Sequence, residues 1–116
     1  MTPKELVAVY GTLKHGHCNH PILKDCKLIG VVRIQGFDLY DLGAYPTAIS
    51  TCDPEATIHC EIYEILNGDV AYRLDTLEGY PRHYDRKKVN TEHGDVWVYY
   101  QHYSYDKSQL IKNGEW

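Results

Sequence analysis

Thr57-Ile58-His59-Cys60-Glu61-Ile62-Tyr63-Glu64-Ile65-Leu66-Asn67-Gly68-Asp69-Val70-Ala71-Tyr72-Arg73-Leu74-Asp75-Thr76-Leu77-Glu78-Gly79-Tyr80-Pro81 changes period halfway along, and that change decides the fold class. Ile58, Cys60 and Ile62 alternate with His59, Glu61 and Tyr63, the two-residue repeat of a strand with one face turned inward. From Val70 the apolar positions Val70, Ala71, Leu74 and Leu77 recur at helical spacing. They predict a helix from Val70 to Glu78, capped by Asn67-Gly68-Asp69 and stopped by Gly79 and Pro81. At roughly 100° per residue, Glu78 projects between Leu74 and Ala71 on the inward face. A carboxyl there is removed from water and sits at the end of the helix whose dipole disfavours negative charge. Both effects raise its pKa toward the range of a proton acceptor at neutral pH.

Working outward, Leu6 to Tyr10 is a short apolar run ending at Gly11 and reads as a buried first strand, followed by a loop to about Asn19. Asn19 is placed to cap a short helix from His20 to Asp25, with Pro21 in its first turn. Cys26 to Ile34 and Phe37 to Leu42 are strand-like and broken by Gly36; Thr47 to Ser50 is a short strand between turns at residues 43–46 and 52–55. Tyr84 to Thr91 and Val96 to Tyr103 straddle Glu92-His93-Gly94-Asp95 as a hairpin. Six or seven strands with two flanking helices predict a mixed α+β fold. Closure into a small barrel would remove the exposed edges. Residues 1–106 form a single domain in this reading, and 107–116 a polar C-terminal tail.

The 116 residues carry a formal charge of -4 with 12 basic side chains scattered apart from Arg86-Lys87-Lys88, which offers no footprint for nucleic acid or an anionic membrane. With no long apolar run and no charged-then-apolar leader, the expected location is the cytoplasm. Cys18, Cys26, Cys52 and Cys60 are then expected as free or buried thiols. His15-Gly16-His17-Cys18-Asn19-His20 lacks the paired spacing of a tetrahedral metal site, and no metal is assigned to it. Tyrosine is abundant, 11 residues against one Phe, which fits either a strand-rich fold or a polar cavity.

Four blocks in order, Val9-Tyr10-Gly11-Thr12-Leu13-Lys14, then Phe37-x-Leu39-Tyr40-Asp41-Leu42-Gly43-x-Tyr45-Pro46, then Glu61-x-Tyr63, then Leu74-x-x-Leu77-Glu78-Gly79-Tyr80-x-x-x-Tyr84-x-Arg86, resemble the γ-glutamylcyclotransferase-like family. The similarity is greatest to its γ-glutamylamine cyclotransferase and avirulence-induced-gene-like branch. The resemblance implies a small β-barrel with a cavity at one end. It also implies cleavage of a γ-glutamyl amide by attack of its own α-amine, giving 5-oxoproline and a free amine or amino acid. It places Tyr10, Gly11, Thr12 and Leu13 in the substrate-binding loop and Glu78 as the catalytic acid/base. Cys60 departs from the family, which often has glycine there, and is expected to narrow the cavity. Tyr84 and Arg86 are expected to brace the helix.

The chemistry is consistent with those residues. An ordinary Glu near 4.3 facing an α-amine near 8 is mismatched by about 5 kcal/mol, much of which a raised Glu78 recovers. Backbone N–H groups at Gly11 can approach an anion closely. Amine and carbonyl belong to one molecule, so holding a cyclic conformer supplies the proximity. The reaction requires no metal or organic cofactor, and its partner is a small γ-glutamyl substrate. Two other readings compete: a barrel that binds a small molecule without turnover, and a tailoring cyclotransferase that removes a γ-glutamyl protecting group in a biosynthetic pathway. Oligomeric state and the departing amine are not encoded in these motifs.

Overall fold

In a computed structural model describing residues 1–116, the strand of the opening stretch is β5, Thr57–Glu64, and it lies second from one edge of a five-stranded sheet. The order across the sheet is β2 (Lys27–Gln35), β5, β1 (Leu6–Val9), β7 (Gly94–Tyr100) and β6 (Asp85–Thr91). The central strand β1 pairs antiparallel with β5, through Val7 opposite Tyr63, and parallel with β7, through Val7 opposite Trp97. β3 (Phe37–Asp41) and β4 (Pro46–Ser50) form a separate antiparallel hairpin.

Alternation along the strands feeds two cores. Ala8, Val32, Ile34, Ile58, Cys60, Ile62, Val96 and Val98 face the β3–β4 hairpin, which covers them with Phe37, Leu39 and Ala48. On the other side Val7, Val9, Tyr63 and Tyr99 pack against Val70, Ala71 and Leu74 of the helix α1, Gly68–Glu78. The sheet is therefore buried on both faces, and β1 reads as a continuous apolar run for that reason. Asn67 caps α1 by accepting a hydrogen bond from the Val70 amide at 3.0 Å, as the sequence predicts.

The α+β class, seven strands and the principal helix agree with the sequence reading, but the barrel does not close. The sheet curls until the β6–β7 turn meets β2, where a Cβ added to Gly30 would come within 2.7 Å of His93 Nε2. The edges β2 and β6 nevertheless remain unpaired and flank a separate cleft of about 370 Å³. Closure was expected because exposed edges are a liability. Here the β3–β4 hairpin leaves the ring to become a second layer, so too few strands remain to complete it.

Two local readings also change. The segment after Asn19 is a single 3₁₀ turn, His20–Leu23, and the Asn19 side chain makes no capping bond to it. Residues 107–116 are ordered against the body. The Ile111 amide donates to Leu39 O at 2.8 Å, the His59 amide to Gly114 O at 2.8 Å, and Ile111 and Trp116 pack on the core beneath the hairpin.

Candidate active site

Where β1 ends, the chain turns sharply and its backbone amides are left free. Tyr10 is bolted down from two sides: its hydroxyl donates to Tyr99 O at 2.7 Å and accepts from the Ala48 amide at 3.3 Å. Gly11 lies so close to Pro46 that a Cβ would come within 2.7 Å of the proline ring. The Lys14 amide returns to Gly11 O at 3.0 Å and closes the turn. Asn19 holds the far side, its amide donating to Thr12 O and its Nδ2 to Thr12 Oγ1, both at 2.9 Å; His20 Nδ1 lies 3.0 Å from Leu13 O. The carbonyls of residues 11–13 are thus engaged, while the amides of Gly11, Thr12 and Leu13 donate to no protein acceptor. Successive unpaired N–H groups on a rigid turn form a concavity suited to an anion.

Glu78 occupies the last turn of α1. Gly79 ends the helix in the left-handed region at φ 64°, and the Tyr80 amide returns to Asp75 O at 2.9 Å. The Glu78 carboxyl has no hydrogen-bond or ion-pair partner, and burial pushes it from 4.5 up to about 7. Burial above all holds the phenols of Tyr10, Tyr84 and Tyr99 neutral, well above their ordinary range, with Asp75 adding to it at Tyr99 and the Glu78 charge contributing at all three. The helix end is fixed to the sheet through Asp75, one turn earlier. Arg86 donates to its two oxygens at 3.1 and 3.4 Å, and Tyr99 OH donates to it at 2.6 Å. The guanidinium lies 4.1 Å from the Tyr80 ring centre and 4.4 Å from that of Trp97.

The five residues predicted from sequence, Tyr10, Gly11, Thr12, Leu13 and Glu78, line one cavity of about 380 Å³. Glu78 is its only acidic side chain. Tyr45, Pro46, His83, Tyr84 and Tyr99 join the lining, along with Cys18, Asn19 and Leu77. Three expectations are revised by this geometry. Leu77, read as part of the inward stripe, is 42% exposed and borders the cavity instead of the core. Tyr84 lines the cavity while its hydroxyl donates to Pro46 O at 3.3 Å, so only Arg86 is purely a brace. Cys60 is fully buried under the hairpin and does not reach the cavity, its thiol pushed up to about 12 by burial. All four cysteines are free thiols. The histidine-rich loop works as a clamp on residues 12 and 13, and no cluster of three or more His, Cys, Asp or Glu side chains is arranged to hold a metal. Tyr99, Asn19 and Asp75 were missed as parts of this site. Each reaches it through a contact across the fold or a local bond that competes with a capping role.

The chain is a curled α+β domain of helix, sheet and hairpin, in which a half-buried acid and a turn of free amides line one cavity. The chain belongs to the gamma-glutamyl cyclotransferase, AIG2-like family, whose model matches residues 7–116. It is thus an enzyme of the cyclotransferase type. It is 36% identical over 114 residues to a Vibrio cholerae protein provisionally named gamma-glutamylcyclotransferase, covering 97% of this chain and 96% of that one. It is 34% identical over 110 residues to the Escherichia coli gamma-glutamylcyclotransferase family protein YtfP, covering 95% and 94%. Among solved structures, an uncharacterised protein of Pyrococcus horikoshii superposes with a TM-score of 0.80 at 28% identity, over 96% of this chain and 88% of that one. An AIG2-like protein of mouse shares the fold with a TM-score of 0.76 at 22% identity, over 97% and 87%. No helix is long and apolar enough to cross a membrane.

Proposed function

We propose that the protein cyclises a γ-glutamyl amide: the substrate's α-amine attacks its own γ-carbonyl, the new N–C bond closes 5-oxoproline, and the amide C–N bond breaks to release an amine. The observation that carries this reading is the meeting, in one cavity, of a lone carboxyl raised to about 7 and three backbone amides with no protein acceptor. An amine near 8 gives its proton to a carboxylate near 7 at a cost of about 1.4 kcal/mol, against about 5 for an ordinary glutamate. Glu78 accepts that proton and returns it to the departing nitrogen, so one group serves both halves of the reaction. The amides of Gly11, Thr12 and Leu13 hold the α-carboxylate and the oxyanion that develops on the γ-carbonyl. The Tyr10, Asn19 and Pro46 contacts keep the turn rigid, which is what makes such donors effective.

The test is to offer a panel of γ-glutamyl compounds, including ε-(γ-glutamyl)-lysine, and to measure 5-oxoproline. Turnover of at least one member is expected, with kcat/KM falling on the acid side with an apparent pKa near 7. Absence of product from the whole panel would move the assignment to a barrel-like binding protein without turnover.

A further inference from the structure

Lys14 follows the amide turn directly, and it is the one lysine, arginine, aspartate or glutamate of the chain that is almost wholly buried, at 5% exposed. A lysine is seldom buried without a paired charge, and no carboxylate lies within salt-bridge distance of this one. Its Nζ carries donors and no acceptor, and it spends them on distant parts of the chain: it lies 3.0 Å from Trp116 O and 3.5 Å from Nδ1 of His59 on β5. Lys14 does not line the cavity, so contact with a ligand there does not account for it.

The main chain of the same residue closes the turn. Its amide donates to Gly11 O and its carbonyl accepts from the His17 amide, both at 3.0 Å. The segment that its side chain grips is stitched to the body by a run of bonds. The Ile111 amide donates to Leu39 O at 2.8 Å, the Gly114 amide to Ile111 O at 3.0 Å and the His59 amide to Gly114 O at 2.8 Å, while Arg33 Nη1 donates to Asn113 O at 2.8 Å. Leu39 belongs to the hairpin and Arg33 and His59 to the sheet, so residues 111–116 tie hairpin to sheet and reach the side chain beside the turn. Asn19 supports the turn from within its own loop; Lys14 supports it from the far end of the sequence. Without Trp116 O, Nζ would keep only its long contact to His59, and a buried donor so poorly satisfied is relieved by swinging out to water. That movement pulls on the main-chain atoms that close the turn.

On the cyclotransferase reading, we infer that residues 111–116 latch the amide turn through Lys14, so that Lys14 and the Trp116 carbonyl are positioning groups for the reaction although neither reaches the cavity. With the latch seated, the amides of Gly11, Thr12 and Leu13 are held in one arrangement. With it lifted, that arrangement is lost, while Glu78 keeps its place through Asp75 and Arg86.

Two variants test the latch. Lys14→Met keeps most of the stem and removes the donors, and removal of residues 114–116 takes away the acceptor. In each, the amides of Lys14 and Asn19, which close the turn on Gly11 O and Thr12 O, are expected to exchange with solvent at least about 10-fold faster, while those of α1 keep their protection. KM for any γ-glutamyl compound that is turned over is expected to rise at least about 5-fold; a loss of stability alone would reduce the amount of active enzyme and leave KM in place. Both changes break one contact, so the double variant is expected to lie within about 2-fold of the shortened chain in exchange and in KM. Should the shortened chain fail to fold, Lys14→Met decides through the same two readouts. Wild-type protection of the turn or a wild-type KM in Lys14→Met, or effects that multiply in the double variant, would overturn the latch and leave the cyclotransferase function standing. If no γ-glutamyl compound gave 5-oxoproline, the cyclotransferase reading would fail, and the exchange measurement would still decide whether the segment holds the turn.

Discussion

Replacing Glu78 by Gln should make the protein more stable as well as less active, and the gain should depend on pH. In the native chain burial holds this carboxyl at about 7, whereas in the unfolded chain it titrates near 4.5. Between those values unfolding releases a proton, so raising the pH favours the unfolded state. The favourable contribution is complete below 4.5 and is lost as pH rises through 7. Its full loss amounts to about 3 kcal/mol. Gln has nearly the same shape and no proton to lose, so the variant escapes the penalty. Thermal unfolding of both proteins at pH 5 and pH 8.5 isolates the effect, because all other titrating groups are shared and the packing of the amide cancels between the two pH values. The variant's advantage should grow by on the order of 10 °C from the lower to the higher pH for a domain of this size. Turnover of any active substrate should fall at least about 100-fold, the usual contribution of a positioned acid or base. A stability difference that is the same at both pH values would refute the claim that the carboxyl is held protonated by burial, whatever happened to activity.

Other substitutions probe the supports of the site. Gly11→Ala drives a methyl group into Pro46 at 2.7 Å and should displace the turn, lowering kcat/KM at least about 10-fold with a smaller loss in stability, measured by steady-state kinetics alongside thermal unfolding. Arg86→Met removes both hydrogen bonds to Asp75 and leaves that carboxylate half-buried beside Tyr99, which should cost about 2 kcal/mol in urea unfolding. Gly114→Ala drives a Cβ into Thr57 O at a residue with φ of +67°; the C-terminal segment should detach, with earlier amide exchange at His59 and Ile111 as the readout.

The parts of this molecule that were readable in sequence are those set by neighbours in the chain. The period of β5, the cap at Asn67 and the stop at Gly79 fix α1 and the approximate direction of Glu78, and they are all local signals. What escaped depends on contacts between distant segments. Whether Phe37–Ser50 closes a ring or forms a second layer is decided by how it packs on β5 and β7. Asn19 illustrates a competition: the same side chain that can cap a helix instead secures Thr12, because the turn at Gly11 places that residue within 2.9 Å. The segment 107–116 has a polar composition, yet Ile111 and Trp116 anchor it, and three apolar residues, Leu110, Ile111 and Trp116, leave little periodicity to detect. The site residues Tyr10 to Leu13 came from resemblance; the structure adds that the amides of Gly11, Thr12 and Leu13 have no other protein partner, which is what the proposed role of a turn without charged side chains requires.

The separate β3–β4 hairpin has an evolutionary consequence. Ala44 and Tyr45 lie in its turn, between strands that pair with each other and meet the sheet's chain only at the Ile49–Gln101 bridge just past β7, whereas Gly11 follows the central strand and Glu78 ends a helix braced by Arg86. Insertions or exchanges in that turn can reshape the entrance without disturbing the register of β1 or the seating of α1. On the proposed function, the entrance and the Glu78 end of α1 thus lie on different pieces of the chain, so that exchanges at Ala44 and Tyr45 would alter which amine fits while the acid stays in place.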